Sequence, residues 1–281
     1  MSAPDFVAVG HVTLDHFGEV VRPGGAALYA AITAQRQGLS AAILTSHGDD
    51  FPVDAVPSQI EVVAREAPTT TAFEHGETKG VRVLRARGTA SPLTAGDLPD
   101  DWRPAPLVLL APVLQEVDPM LAAAFPDASV GGELQGWLRA TDGQGVVGVA
   151  TWTSPEAVLG RFQAIFVSRH DVRGQEAQVA EWVQRVPLAV VTAGAAGAIL
   201  YVNGDRYEVR PRRTREVDPT GAGDVFAATF LISYDRHGDA WEAAEAATCA
   251  ASLSVEGEGW SSVPDAATLA AALEAYRART R

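Results

Sequence analysis

A single cysteine, Cys249, stands in a chain of 281 residues. It excludes a disulfide within the chain and any cysteine-based zinc site. Its alanine-rich, helical setting reads as a small buried hydrophobe rather than a reactive thiol. Long apolar runs are also missing. None approaches the ~18 residues needed to span a bilayer, and Met1–Phe6 has neither the basic start nor the apolar core of a secretory leader. The expected location is therefore cytoplasmic. Basic charge is scarce: 22 Lys and Arg against 35 Asp and Glu leave a formal net charge of −13. Such a chain repels nucleic acid and anionic membranes, so neither is expected as a partner. It can still hold an anionic nucleotide where backbone N–H groups converge. The histidines His11, His16, His47 and His75 are scattered, without metal-ligand spacing on a helix.

Apolar residues are plentiful, at 47%, enough for a sizeable core. Phe6–Val9 and Ala41–Thr45 are short apolar runs that read as buried strands. Between them Gly25 to Gln37 reads as a helix with Gly38 as its stop. The runs Leu107–Ala111, Val146–Ala150, Ala164–Ser168 and Leu188–Thr192 have parallel-sheet character, with helical segments such as Gln175–Arg185 between several of them. This alternation predicts one α/β domain over residues 1–281, a doubly wound, mostly parallel sheet with helices on both faces. Two runs break the rhythm. Thr69–His75 and Val81–Arg87 flank a polar connection with Gly76 and Gly80, and read as a hairpin. With one or two strands from Val12–Arg22 they predict a small β lid, approximately residues 12–22 and 69–88. Three helices close the chain, over Val225 to about Asp235, Ala240–Val255 and Asp265–Arg279.

Chemistry concentrates at Asp218-Pro-Thr-Gly-Ala-Gly-Asp224. Gly221 and Gly223 let backbone approach a ligand closely, at the start of a helix whose unpaired N–H groups and dipole favour an anion. Asp224 puts a carboxylate at the same turn. A base beside an anion hole is what hydroxyl phosphorylation requires. By itself the segment reads equally as a glycine turn capped by aspartate.

The length of the pattern distinguishes the two. Val217–Phe226 resembles the C-terminal signature of the ribokinase, or PfkB carbohydrate kinase, family. Gly10-His-Val-Thr13-Leu-Asp15 resembles its first strand and substrate loop, and Arg22-Pro-Gly24-Gly25-Ala26 its di-glycine hinge. Gly48-Asp49-Asp50, Thr192-Ala-Gly194-Ala-Ala-Gly197 and Ala251–Gly257 follow in the family's order. Gln135-Gly-Trp-Leu-Arg139 resembles a segment of a divergent subgroup that includes inositol-kinase-like members. The resemblance implies a ribokinase-like fold and an ATP-dependent kinase for a small sugar or polyol. It implies Asp224 as base and Gly221, Ala222 and Gly223 as anion hole. Thr13, Asp15, Gly24 and Gly25 would hold the acceptor, with His11 and His16 nearby. Thr192, Gly194, Gly197 and Thr220 would line the nucleotide phosphates. Mg2+ would accompany ATP, with Asp171 facing it through water, and Asp218 and Thr220 fall where members often hold a monovalent cation such as K+.

Three positions depart from the family pattern. Tyr29 replaces the usual asparagine after the di-glycine, Thr13 replaces the asparagine of the first loop, and the N-x-x-E motif falls at Ser168-Arg-His-Asp171. They predict acceptor contacts other than those made to ribose. A nucleoside acceptor is the alternative, with Phe17, Tyr29 and Phe73 as stacking candidates. So is a catalytically silent sugar- or nucleotide-binding protein on the same scaffold. The lid edge is compatible with a monomer or a homodimer.

Overall fold

The computed structural model describes residues 3–78 and 81–280, so Gly80 of the expected lid turn lies outside the described residues. In chain order the strands are β1 (Phe6–Val9), β2 (Thr13–Phe17), β3 (Val20–Gly24), β4 (Ala41–His47), β5 (Ile60–Glu66), β6 (Thr71–Thr78), β7 (Val81–Gly88), β8 (Leu107–Leu110), β9 (Ser129–Glu133), β10 (Arg139–Thr141), β11 (Val147–Val149), β12 (Ala164–Ser168), β13 (Leu188–Thr192), β14 (Ala198–Val202) and β15 (Asp205–Val209). The helices are α1 (Ala26–Arg36), α2 (Glu176–Trp182), α3 (Ala222–His237), α4 (Ala240–Ser254) and α5 (Ala266–Thr280).

Nine strands form one sheet in the order β15-β14-β13-β12-β9-β8-β1-β4-β5. The seven from β13 to β5 run parallel, and β14 and β15 are antiparallel additions. β1, β8, β12 and β13 are apolar and buried almost throughout, as a sheet covered on both faces requires. The C-terminal edge of these strands is where an open α/β sheet presents its ligands. A second sheet, β3-β2-β6-β7, forms the lid. Pro23 sits in its edge strand β3, the position in a sheet that tolerates a residue without an N–H.

Two expectations need correction. Val146–Ala150 is not a strand of the main sheet: β11 pairs antiparallel with β10 in a separate ribbon. The cause is local. The Asp142 carboxylate accepts from the N–H groups of Gln144 and Val146, 2.8 Å each, closing a tight turn that folds the run back on Arg139–Thr141. The two sheet faces also differ. One is covered by α1, α3 and α4, and Cys249 lies buried there with its thiol pushed up to about 12 by burial. On the other, α2 is the sole α-helix among the described residues. The rest is short 3-10 turns and irregular chain holding Trp102, Trp137 and Trp152, which pack with Trp182 of α2 in one core. Prolines at 92, 99, 104, 106, 119, 126 and 155 interrupt those stretches and prevent long helices there.

Candidate active site

The turn Asp218–Gly223 delivers the chain into α3. Gly221 is the N-cap, with φ of 78°, a left-handed conformation that a side chain rarely adopts. A Cβ there would run into the Tyr29 ring, so glycine is required twice over. At Gly223 a Cβ would meet nothing within 4 Å. Packing does not explain that glycine; it faces open space. Ala222 N–H is loosely held by the Pro219 carbonyl at 3.3 Å. Among the described residues no carbonyl accepts from the N–H of Gly221 or Gly223, and both remain for an anion.

Asp224, in the first turn of α3, is 8% exposed. Burial pushes its carboxyl up to about 6, a rise to which Asp15 and Asp171 add and which Glu133 and Arg139 oppose. Gln135 donates its amide to Asp224 Oδ1 at 3.3 Å. Glu133 lies beside it at the end of β9, and burial followed by the Asp224 charge drives the Glu133 carboxyl well above the ordinary range. Glu133 did not emerge from the motifs. Its signal was an acid ending a glycine-rich strand just before Gln135–Arg139. That segment is anchored by Trp137, whose ring nitrogen donates to the Val117 carbonyl at 2.8 Å and whose ring stacks on Trp152 at 5.0 Å. With Trp137 fixed, Gln135 reaches Asp224 and Arg139 reaches Asp171 at 3.4 Å.

The lid brings the acceptor candidates to the same place. Asp15, on β2, is buried and accepts from Thr13 Oγ1 at 3.3 Å. Its carboxylate packs on the Gly24 Cα, where any Cβ would collide with it. Gly25, with φ of 102°, turns β3 into α1. His75 stands 3.5 Å from Asp15 and stacks on Phe17, and Arg22 lies over the Phe17 ring at 5.5 Å. Phe73 is buried in the core. His11 is wholly buried between Ser91 and Thr71, 2.8 and 2.7 Å away, which gives it a structural role. Tyr29 is buried against Gly221 and Trp260, and its hydroxyl is pushed above the ordinary tyrosine range by burial and by Asp218, Asp224 and Asp15. A cavity of about 260 Å³ opens here, lined by Asp15, Phe17, Arg22, Tyr29, Asp218 and Trp260 among others. Asp224 is outside its lining, but Asp15 is common to both.

Asp218 is committed already. Its Oδ1 accepts from Thr220 N–H at 3.0 Å, its Oδ2 from Gly259 N–H at 3.1 Å, and Arg22 approaches Oδ2 at 3.4 Å while also holding Glu258 at 2.8 Å. Burial raises the Asp218 carboxyl, but these donors outweigh it and hold it below the ordinary value. The positive charge opposite Asp218 is thus a guanidinium, and a monovalent cation would have to stand beside Arg22 or displace it. At the nucleotide-side candidates, Ser168 and Thr192 are register partners at the ends of β12 and β13. Gly194 and Gly197 have φ of 55° and 90°, and the N–H of Ala193 closes the loop on the Gly197 carbonyl at 2.8 Å. Among the described residues no group of three His, Cys, Asp or Glu is arranged to chelate a metal. A Mg2+ ion here would therefore take most of its ligands from water and from the groups it arrives with.

Residues 127–266 match the family described as pfkB family carbohydrate kinase, a span from before β9 through Asp224 into α5. The chain is a member of the pfkB carbohydrate kinase family. Among members, a cytidine kinase of Thermococcus kodakarensis is 25% identical over 260 residues, 83% of this chain and 89% of that protein. An inositol 3-kinase of Zea mays is 32% identical over 168 residues, 57% of this chain but only 41% of that protein. A solved structure of a pyrophosphate-dependent myo-inositol-1 kinase, converted into a myo-inositol-3 kinase, superposes with a TM-score of 0.78 at 20% identity, covering 97% of this chain and 99% of that one. At that identity the likeness speaks for the fold alone. It extends the family architecture to the whole chain, lid included. No helix among the described residues is long and apolar enough to cross a membrane.

Proposed function

We propose that this family member transfers a phosphoryl group from ATP to a hydroxyl of a small polyol or sugar. The observation that carries the reading is the meeting of Asp224, the open N–H groups of Gly221 and Gly223, and the lid carboxylate Asp15 at one end of α3. Asp224, ionised, takes the acceptor's hydroxyl proton as the acceptor oxygen attacks the terminal phosphorus, whose bond to the bridging oxygen breaks to release ADP. The two N–H groups and the helix dipole hold the charge on the transferring phosphoryl. Asp15 accepts from other acceptor hydroxyls, Gly24 and Gly25 let the backbone pass close to Asp15 and the His11–Thr13 loop, and Thr13 orients Asp15. Thr192, Gly194, Gly197 and Thr220 line the donor phosphates. Bound Mg2+ would neutralise phosphate charge. The lid excludes water, which otherwise competes as acceptor.

A second reading, a nucleoside acceptor, rests on the Phe17–His75 stack beside the cavity, a platform for a base, and on the likeness to a cytidine kinase. One experiment separates the readings. Purified protein is offered inositols, other polyols, sugars and nucleosides, with ATP and Mg2+ or with inorganic pyrophosphate, and products are read by mass. Phosphorylated polyol or sugar formed with ATP is expected. Turnover of nucleosides alone moves the assignment to the second reading, and turnover with pyrophosphate alone replaces the donor. Ligand binding with no transfer from either donor leaves a silent binding protein.

A further inference from the structure

Glu133 is a buried acid at the site that the chemistry above does not use. It is 4% exposed, and neither carboxylate oxygen has a conventional donor among the described residues. Its position follows from the strand. Gly131 and Glu133 project to the same face of β9, the face toward α3. At Gly131 a Cβ would come within 2.6 Å of Leu231, so α3 rests directly on the strand there. Two residues on, at the strand's C-terminal end, Glu133 meets the first turn of the same helix, where Asp224 stands. The charged groups around the pair are Asp171, after β12, Arg139, after β9, and Asp15, on the lid. Were all four acids ionised, one guanidinium would face four carboxylates in a pocket that must still admit an anionic donor. Two adjacent buried carboxyls relieve this by retaining one proton between them.

We propose that Glu133 is the positioning residue of the base: it remains a neutral carboxylic acid and donates its hydroxyl hydrogen to the Asp224 carboxylate. The inference rests on the proposed role of Asp224. With Gln135 it gives that carboxylate two donors, which fix its rotation and leave acceptor capacity aimed at the acceptor hydroxyl. Glu133 enters no bond-making step, and its proton stays in place through the cycle. The arrangement agrees with the upward displacement of the Glu133 carboxyl and with the opposing effect of Glu133 on Asp224.

The test compares Glu133→Gln, which keeps a neutral donor, with Glu133→Leu, which removes it. Glutamine is expected to cost kcat a few-fold and leucine about 10²-fold, the scale of a lost hydrogen bond to a charged group, with KM little changed. The leucine variant loses a donor that favours ionised Asp224, so the acidic limb of its kcat/KM profile moves to higher pH. In the glutamine variant the limb stays where it is. A glutamine variant whose limb moves to lower pH, or one as slow as the leucine variant, overturns the proposal, because Glu133 then works as an anion. A second readout needs no turnover and no stable leucine variant. At pH 8 the wild-type infrared spectrum should contain the carbonyl band of a buried protonated carboxyl that Glu133→Gln lacks. Its absence from the wild type overturns the proposal. If the wild type shows that band but phosphorylates nothing, the kinase reading fails while the state of Glu133 stands.

Discussion

Asp224→Asn separates two properties of one carboxylate. Asp224 is buried, and its carboxyl is raised from the ordinary 3.8 to about 6. At about 1.36 kcal/mol per pH unit, keeping it ionised in the folded protein costs on the order of 3 kcal/mol above pH 6. The sign follows from proton counting. Between about pH 4 and pH 6 the folded state holds a proton that the unfolded state has released, so stability falls as pH rises through that window. Asparagine is isosteric, carries no charge and can still meet Gln135. It should therefore raise stability at pH 8 by up to about 3 kcal/mol, and the gain should vanish below pH 4. Turnover should fall by about 10²–10⁴, the usual contribution of a positioned base. Urea unfolding at pH 8 and pH 4 measures the first effect, and initial rates on the best acceptor measure the second. A variant no more stable than wild type at pH 8 would show that the carboxylate is not held against its preference. A variant as active as wild type would remove Asp224 from the base role.

Other outcomes follow from the same geometry. The kcat/KM profile of the wild type should lose activity as pH falls through about 6, where Asp224 takes up its proton, and a limb near 4 would contradict the burial argument. Gly221→Ala should cost about 3 kcal/mol, from the left-handed backbone and the collision with Tyr29, and the double variant with Tyr29→Ala should recover the collision part in a thermal melt. Arg22→Ala should change stability by less than about 1 kcal/mol, since the pairs are partly solvated. It should raise the acceptor KM more than it lowers kcat, because Arg22 ties lid strand β3 to the Asp218 turn, and steady-state kinetics will tell.

The alternating pattern was legible because strands and helices differ in period and length. Phe6–Val9, Ala164–Ser168 and Leu188–Thr192 emerge with the expected boundaries. β9 was not legible. Its residues, Ser-Val-Gly-Gly-Glu, carry little strand propensity, and the two glycines are there to admit Leu231 on one face and Phe162 on the other. The Val146–Ala150 run misled for the opposite reason: apolar residues in a row, but behind a turn that pairs them locally. The coverage of the second face by irregular chain was written in its prolines, yet the pattern of strands alone suggested helices.

At the site, the motif residues follow directly from order along the chain. A glycine at the helix N-cap, a second in its first turn followed by an acid, and a matching upstream loop suffice to suggest the family and to nominate Asp224. Local sequence carries that information because a helix N-terminus needs only its own residues to present N–H groups and a carboxylate. What surrounds Asp224 comes from distant segments: Glu133 and Gln135 from about 90 residues upstream, Asp15 from the lid, and Asp171 and Arg139 from beyond the ends of two strands. Packing alone decides that these meet, that Arg22 faces Asp218, and that Asp224 sits where ionisation is costly. Charge–charge and desolvation energies depend on distance and burial, and neither quantity exists until the chain has closed on itself.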